Sequence, residues 1–306
     1  MNDHETQANT FYVTVRPVEP GDGARILTLL DQTRRRALNF GAEDLPGLLA
    51  SEQTSGAVAE TGPLLWGFLL TTPLAQPALP AETVERWAAL RGCALLGGWR
   101  SEEALPGLWE PVAAALKGRR VQAVVHIAHA EWLHTPLQRL GFQVSDHLEV
   151  MQRGVGIDHA SDGAGPATLR PAQPAEIAAL LAVDSAAFAP PWRAATADLT
   201  SLLVMSSHAV VAEMEGQVMG YAVSDVRGEF GVLARLAVLP AAQGQGLGRQ
   251  LLTDALRFCR RSGARSVSLN TNASNQASQR LYAQHGFRLL GKRTPVMTFR
   301  LPPAVR

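Results

Sequence analysis

Gly244, Gly246 and Gly248 fall within five residues, after an apolar run at 232–239 and around the start, at Leu247, of a helix-periodic stretch. Pro240 ends the run, since it cannot donate to a strand ladder. The glycines reach backbone angles that other residues resist, and they let a ligand approach the main chain closely. The first amides of the helix that follows have no internal acceptor, and they lie at its positive pole. Such a turn suits phosphate oxygens. Taken alone it also reads as a flexible, glycine-rich helix start. A dinucleotide fingerprint needs a parallel βαβ unit and an acidic residue about 20 residues on. Here the next strand ends in Asn270-Thr-Asn272, and the strands before the turn read as a hairpin. No Gly-Lys-Ser/Thr closes the loop, so the Walker pattern is absent.

The elements that position this turn are legible on both sides. The pattern predicts a strand at 167–170, a helix at 174–187, and a hairpin of strands 209–213 and 218–226 turning at 214–217. The run at 232–239, broken only by Arg235, reads as a central strand. A helix follows at 247–261, with Leu247, Leu251, Leu252, Ala255, Leu256 and Cys259 on one face. A strand at 266–270, a helix at 275–285 and strands at 288–292 and 296–301 complete the half.

The N-terminal half repeats this plan. Val13-Thr-Val-Arg-Pro-Val-Glu-Pro-Gly-Asp22 echoes Ala167-Thr-Leu-Arg-Pro-Ala-Gln-Pro-Ala-Glu176, and Leu137-Gln-Arg-Leu-Gly-Phe142 echoes Tyr282-Ala-Gln-His-Gly-Phe287. Two echoes in one order indicate a duplicated domain. Residues 156–166 are small, polar and turn-forming, which suggests domains at 1–155 and 167–306 joined by a linker.

The stretch Leu236-Ala-Val-Leu-Pro-Ala-Ala-Gln-Gly-Gln-Gly-Leu-Gly248 resembles motif A of the GNAT superfamily of N-acetyltransferases, whose Arg/Gln-x-x-Gly-x-Gly/Ala signature is met by Gln243, Gly246 and Gly248. Asn275-x-Ala-x-x-x-Leu281-Tyr282-x-x-x-Gly286-Phe287 resembles motif B, and the resemblance spans residues 167–301. It implies an α+β fold of two tandem GNAT-like domains. Each would be a mixed, mostly antiparallel sheet flanked by helices, with splayed central strands in the C-terminal domain. It implies acetyl-CoA as co-substrate, held by backbone groups of Leu236, Ala237 and Val238 and by the turn Gln243, Gly244, Gln245, Gly246, Leu247, Gly248 and Arg249. Asn275 would reach it from across the cleft. Tyr282 would protonate the departing thiolate as general acid. A backbone amide near Ala237 would receive the oxyanion.

Within the family the C-terminal half is most similar to enzymes that acetylate the N-terminal alanine of a ribosomal protein, and Phe188-Ala-Pro-Pro-Trp192 resembles their Phe-Pro-Trp segment. Where those enzymes carry a glutamate, this chain has Asn270, which cannot accept a proton. Glu229 can substitute as base, directly or through water, and reads equally as a solvated turn residue; His208 and Asp225 are weaker candidates. The implied acceptor is a small-molecule amine or a peptide N-terminus. The alternative is a non-enzymatic acyl-CoA-binding or partner-binding module.

The N-terminal half departs from the pattern at each of these places. Gly97 and Gly98 lack the spaced glycine motif, and Glu102 and Glu103 put negative charge where a diphosphate would lie. Ala130 stands for Asn275 and Leu137 for Tyr282, so the first domain is expected to be degenerate. His126 and His129 lie three apart in a strand pattern, so they are expected to face opposite sides, and no metal site is expected. Trp99, Trp109 and Trp132 read as packing residues. With 28 basic and 27 acidic residues, no global field favours nucleic acid or an anionic membrane. No run is long enough to span a bilayer. Cys93 and Cys259 stand far apart, and the first ten residues show no leader pattern, so a cytoplasmic monomer or homodimer is expected.

Overall fold

The structure, a computed structural model, describes residues 13–74, 85–156 and 165–302. The chain divides into two compact units, Met1–Pro73 with Arg86–Gln143 and Met297–Arg306, and Leu74–Glu85 with Val144–Val296.

The first unit opens with β1 (Thr14–Pro17), α1 (Gly23–Gln32), β2 (Arg36–Leu38) and α2 (Leu45–Ala50). Strands β3 (Ser55–Thr61), β4 (Leu64–Pro73) and β5 (Trp87–Leu95) follow, then α3 (Ser101–Gly118), β6 (Ala123–Ile127) and α4 (His134–Arg139). β1, β3, β4 and β5 pair antiparallel in that order. The α3 crossover makes β6 parallel to β5. Leu105, Leu108, Val112 and Leu116 of α3 recur at helical spacing and pack on one sheet face, while Ile26, Leu29 and Leu30 of α1 cover the other.

The second unit contains β7 (Gln143–Gly154), β8 (Thr168–Pro171), α5 (Ile177–Ala187), α6 (Thr196–Met205), β9 (His208–Met214), β10 (Gln217–Arg227) and β11 (Phe230–Val238). It continues with α7 (Leu247–Arg261), β12 (Ser266–Asn272), α8 (Gln276–Gln284) and β13 (Arg288–Arg300). The order β7-β12-β11-β10-β9-β8 is antiparallel except at β11·β12. All six apolar residues expected on the buried face of α7 are buried.

The duplication is physical. Arg16 joins Asp22 at 2.7 Å and Glu60 at 2.9 Å; Arg170 joins Glu176 at 2.6 Å and Glu213 at 2.7 Å. In each unit an arginine fork on an edge strand, β1 or β8, ties the next helix start to the neighbouring strand. The second echo is a helix stop: Phe142 N donates to Leu137 O and Phe287 N to Tyr282 O, both at 3.0 Å. Gly141 and Gly286 take the positive φ that this stop requires.

Three expectations differ from the structure. The units are not contiguous halves, because β7 leaves the first half to pair with β12 and residues 297–306 return to the first unit. Of the linker at 156–166, residues 157–164 lie outside the described residues. Residues 288–300 form one strand rather than two, and α6 had no clear signal, with a single buried residue, Leu199. His129 does not face away from His126: β6 ends at Ile127, His129 N turns back to Ile127 O at 3.0 Å, and both side chains line one cavity.

Candidate active site

β11 and β12 pair only through Phe230↔Ser266, Gly231↔Val267 and Val232↔Ser268. β11 then runs on to Val238 and β12 to Asn272 without pairing to each other. The register of β10 on β11 skips Ala234, a bulge that bends the strand at the point of separation. A cleft of about 450 Å³ opens there, lined by residues 233–236 and 269–272, by Ser278 and Tyr282 of α8, and by Phe188 and Trp192 beyond α5.

The glycine turn sits at the end of β11. Gly244 and Gly246 have φ of +78° and +91°, so the turn needs residues without a side chain there. The first α7 backbone bond is Gln250 N to Gly246 O at 3.0 Å. Among the described residues, the amides of Gly244, Gln245, Gly246, Leu247, Gly248 and Arg249 donate to nothing. Six unpartnered donors at the positive pole of a 15-residue helix form an anion cradle. The side chains of Gln243 and Gln245 stabilise the turn itself, donating to Val238 O at 3.1 Å and Ala241 O at 3.2 Å. Leu247 sends its side chain into the core. A Cβ on Gly248 would meet Leu281 Cδ2 at 3.3 Å, so this glycine lets α7 and α8 approach.

Tyr282 lines the cleft and is 7% exposed. Burial pushes its phenol up to about 12, against a hydrogen bond from Ser278 that acts the other way. It therefore holds its proton throughout the neutral range. Asn275 caps α8: its Oδ1 accepts from Ser278 N at 3.1 Å, which leaves Nδ2 for other partners. Asp146 accepts from Ser274 Oγ at 2.6 Å and from Asn272 Nδ2 at 2.9 Å, and so secures the corner between β12 and α8. Burial pushes Asp146 up, but the hydrogen bonds from Ser274, Asn272 and the backbone outweigh it and hold its carboxyl below the usual range.

In the sequence Arg235 reads only as a break in an apolar strand. In the structure its Nη2 donates to Asp184 Oδ1 at 2.8 Å and to Trp192 O at 2.7 Å, and its Nε to Asp184 Oδ2 at 2.5 Å. Tyr221 also donates to Asp184, which is fully buried, and the guanidinium lies over the Phe188 ring at 4.2 Å. Burial and the adjacent Asp184 push the Tyr221 phenol well above its usual range. Nη1 makes no hydrogen bond among the described residues. A lone cation inside a strand was the available signal, but its partner on α5 is apparent only in three dimensions.

The candidate bases lie elsewhere. Glu229 stands at the tip of the β10–β11 hairpin, 2.9 Å from Arg265, before the strands separate. His208 pairs with Asp254 at 2.7 Å, and Asp225 accepts from Ser207. None of them lines the cleft, where Arg235 and Tyr282 are the ionisable lining residues among the described ones. Asn270 does line it.

Residues 177–287 match the family model for the Acetyltransferase (GNAT) family. The chain is 31% identical over 189 residues to mycothiol acetyltransferase of Streptomyces avermitilis, covering 56% of this chain and 60% of that protein. It is 28% identical over 104 residues to a candidate [ribosomal protein bS18]-alanine N-acetyltransferase of Bacillus subtilis, covering 34% and 69%. The chain thus spans under two thirds of the mycothiol acetyltransferase it matches. In fold it resembles a tandem GNAT protein from the clavulanic acid biosynthesis pathway, at 16% identity and a TM-score of 0.58, over 96% of this chain and all of that one. Residues 177–287, which match the Acetyltransferase (GNAT) family model, contain the glycine turn and most of the cleft lining, so cleft, turn and family match coincide in the second unit.

Proposed function

We propose that the second unit transfers the acetyl group of acetyl-CoA to the α-amino group of a small molecule or peptide. The observation that carries this reading is the separation of β11 from β12 beside a turn of six unpartnered amides. Acetyl-CoA brings the acyl group as a reactive thioester. The amides of Gly244 to Arg249 would hold its diphosphate. The unpaired edge of β11 at Leu236, Ala237 and Val238 would line up its pantetheine arm and offer a donor to the developing oxyanion. Asn275 Nδ2 would reach it from α8. Tyr282 would pass its proton to the leaving sulfur, for which its raised pKa keeps it protonated.

Among the described residues, no carboxylate or imidazole lines the cleft. The acceptor therefore loses its proton to solvent, which favours an amine of low pKa. A peptide α-amine titrates near about 8 and a lysine side chain near about 10.4. The free Nη1 of Arg235 offers a donor to a carbonyl next to the amine. The test is an acetylation assay on dipeptides and on Nα-blocked lysine at neutral pH. Dipeptides should be preferred, and kcat/KM should rise with pH along the titration of the amine. Tyr282→Phe should lower kcat about 100-fold with little change in KM for acetyl-CoA.

The absence of a base in the cleft also favours a second reading, an acyl-CoA-binding module without turnover. Saturable acetyl-CoA binding with no product from any amine would support it and defeat the first.

A further inference from the structure

The first unit repeats the strand separation but fills it differently. β5 and β6 pair through Trp87↔Ala123, Ala88↔Val124 and Ala89↔Val125, and then part. Into that gap the chain inserts its own β2, which pairs with β5 through Arg36↔Ala94, Ala37↔Cys93 and Leu38↔Gly92. Leu95 N donates to Arg35 O at 3.0 Å and Asn39 N to Arg91 O at 2.7 Å. The strand edge left open in the second unit is thus satisfied within the first. The turn after β5 is also reversed in polarity. The carbonyls of Leu96 and Trp99 accept from Arg35 at 2.5 and 2.6 Å, so a cation is held where the second unit has an amide cradle. Neither a pantetheine arm nor a diphosphate fits this arrangement.

A cavity of about 430 Å³ remains beside β2 and the end of β6. Its polar lining is Arg34, Arg36, Asn39, His126 and His129, with Trp132 at one wall, and no carboxylate is among the lining residues. Arg34 and His129 make no side-chain hydrogen bond or ion pair among the described residues. His126 is 6% exposed, and its Nε2 has no hydrogen-bond partner. Arg34 and Arg36 line one concavity with no carboxylate among its described lining residues, and only Arg36 has a partner, donating Nη1 to Leu30 O at 3.0 Å. Two cations so close repel each other, and an anion relieves that repulsion. Guanidinium geometry suits the paired oxygens of carboxylate and phosphate.

We propose that the first unit binds a small anion, a carboxylate or a phosphate monoester, in the cavity between β2 and β6 lined by Arg34, Arg36 and His129. The duplicated cleft has in this way become a second ligand site of different chemistry from the first.

Calorimetric titration of the full chain with inorganic phosphate and with succinate, in low-salt buffer, tests this. At least one probe should bind saturably at one site per chain. Arg34→Glu should weaken that binding at least tenfold and leave acetyl-CoA binding unchanged. Arg34 is exposed and unpaired, so its replacement does not threaten folding; His129→Ala is the second variant and should also weaken binding. A response to phosphate alone identifies a phosphate ester as the source, and one to succinate alone a carboxylate. The proposal is overturned if neither probe saturates. It is equally overturned if Arg34→Glu leaves binding intact, or if phosphate binding is lost in Gly246→Glu, which would place the anion on the glycine turn.

Discussion

Arg235 and Asp184 show how one ion pair can shape a cleft wall. Asp184 has no exposed surface, and the pair ties α5, β11 and the Trp192 carbonyl together. Breaking a buried pair leaves an uncompensated charge and costs about 3 kcal/mol or more. Asp184→Asn should therefore lower the melting temperature by roughly 6 °C or more in calorimetry. Arg235→Lys keeps the charge but loses the fork. It should raise KM for the acceptor several-fold more than KM for acetyl-CoA; equal effects would mean that Arg235 serves stability alone. Neither residue stood out in the sequence, since Asp184 lies in an apolar helix whose contacts no local pattern reveals.

At the scale of elements, α8 walls the cleft and the glycine turn follows the free stretch of β11. Tyr282 lies seven residues beyond the cap Asn275, two helical turns along the same face. Loss of the cap in Asn275→Ala should cost about 1 kcal/mol. It should also reduce kcat, since it loosens the helix that positions the phenol. A drop in stability without any kinetic effect would separate the cap from the chemistry. On the other side, Gly246→Ala meets open space, with Pro166 the nearest contact at 3.9 Å, so its effect comes from φ alone. A left-handed residue with a side chain costs roughly 1–2 kcal/mol. Equilibrium dialysis should show weaker acetyl-CoA binding as the turn relaxes. These elements were legible in the sequence because helix period and turn residues are local properties.

At the scale of the whole molecule, two units of one plan treat the same strand separation differently, open in the second and filled by β2 in the first. Titration with acetyl-CoA should give one site per chain, since β2 occupies the gap in the first unit. Two sites would mean that β2 can be displaced. The first unit should also be acid-sensitive. Burial, against a backbone hydrogen bond, lowers His126 from its ordinary 6.5 to about 4. Above pH 6.5 both folded and unfolded chains carry it neutral. As the pH falls from 6.5 towards 4 the unfolded chain takes up a proton that the folded chain refuses, so stability is lost across that window, by about 3 kcal/mol in total. In melts between pH 7 and 4.5, His126→Leu should lose less stability than the native chain; parallel curves would show that the buried imidazole does not contribute.

What the sequence determined by itself was the repeated plan, the glycine turn and the helix that bears Tyr282. Each is encoded in residue types and spacings over a few turns of chain. Only the tertiary structure decided that β7 pairs with β12, that β2 plugs the gap in the first unit, and that Glu229 stands outside the cleft while Arg235 lines it. Strand pairing joins residues from about sixty to more than a hundred positions apart, and a side chain's role there depends on which edge its strand finds. No local period carries that information.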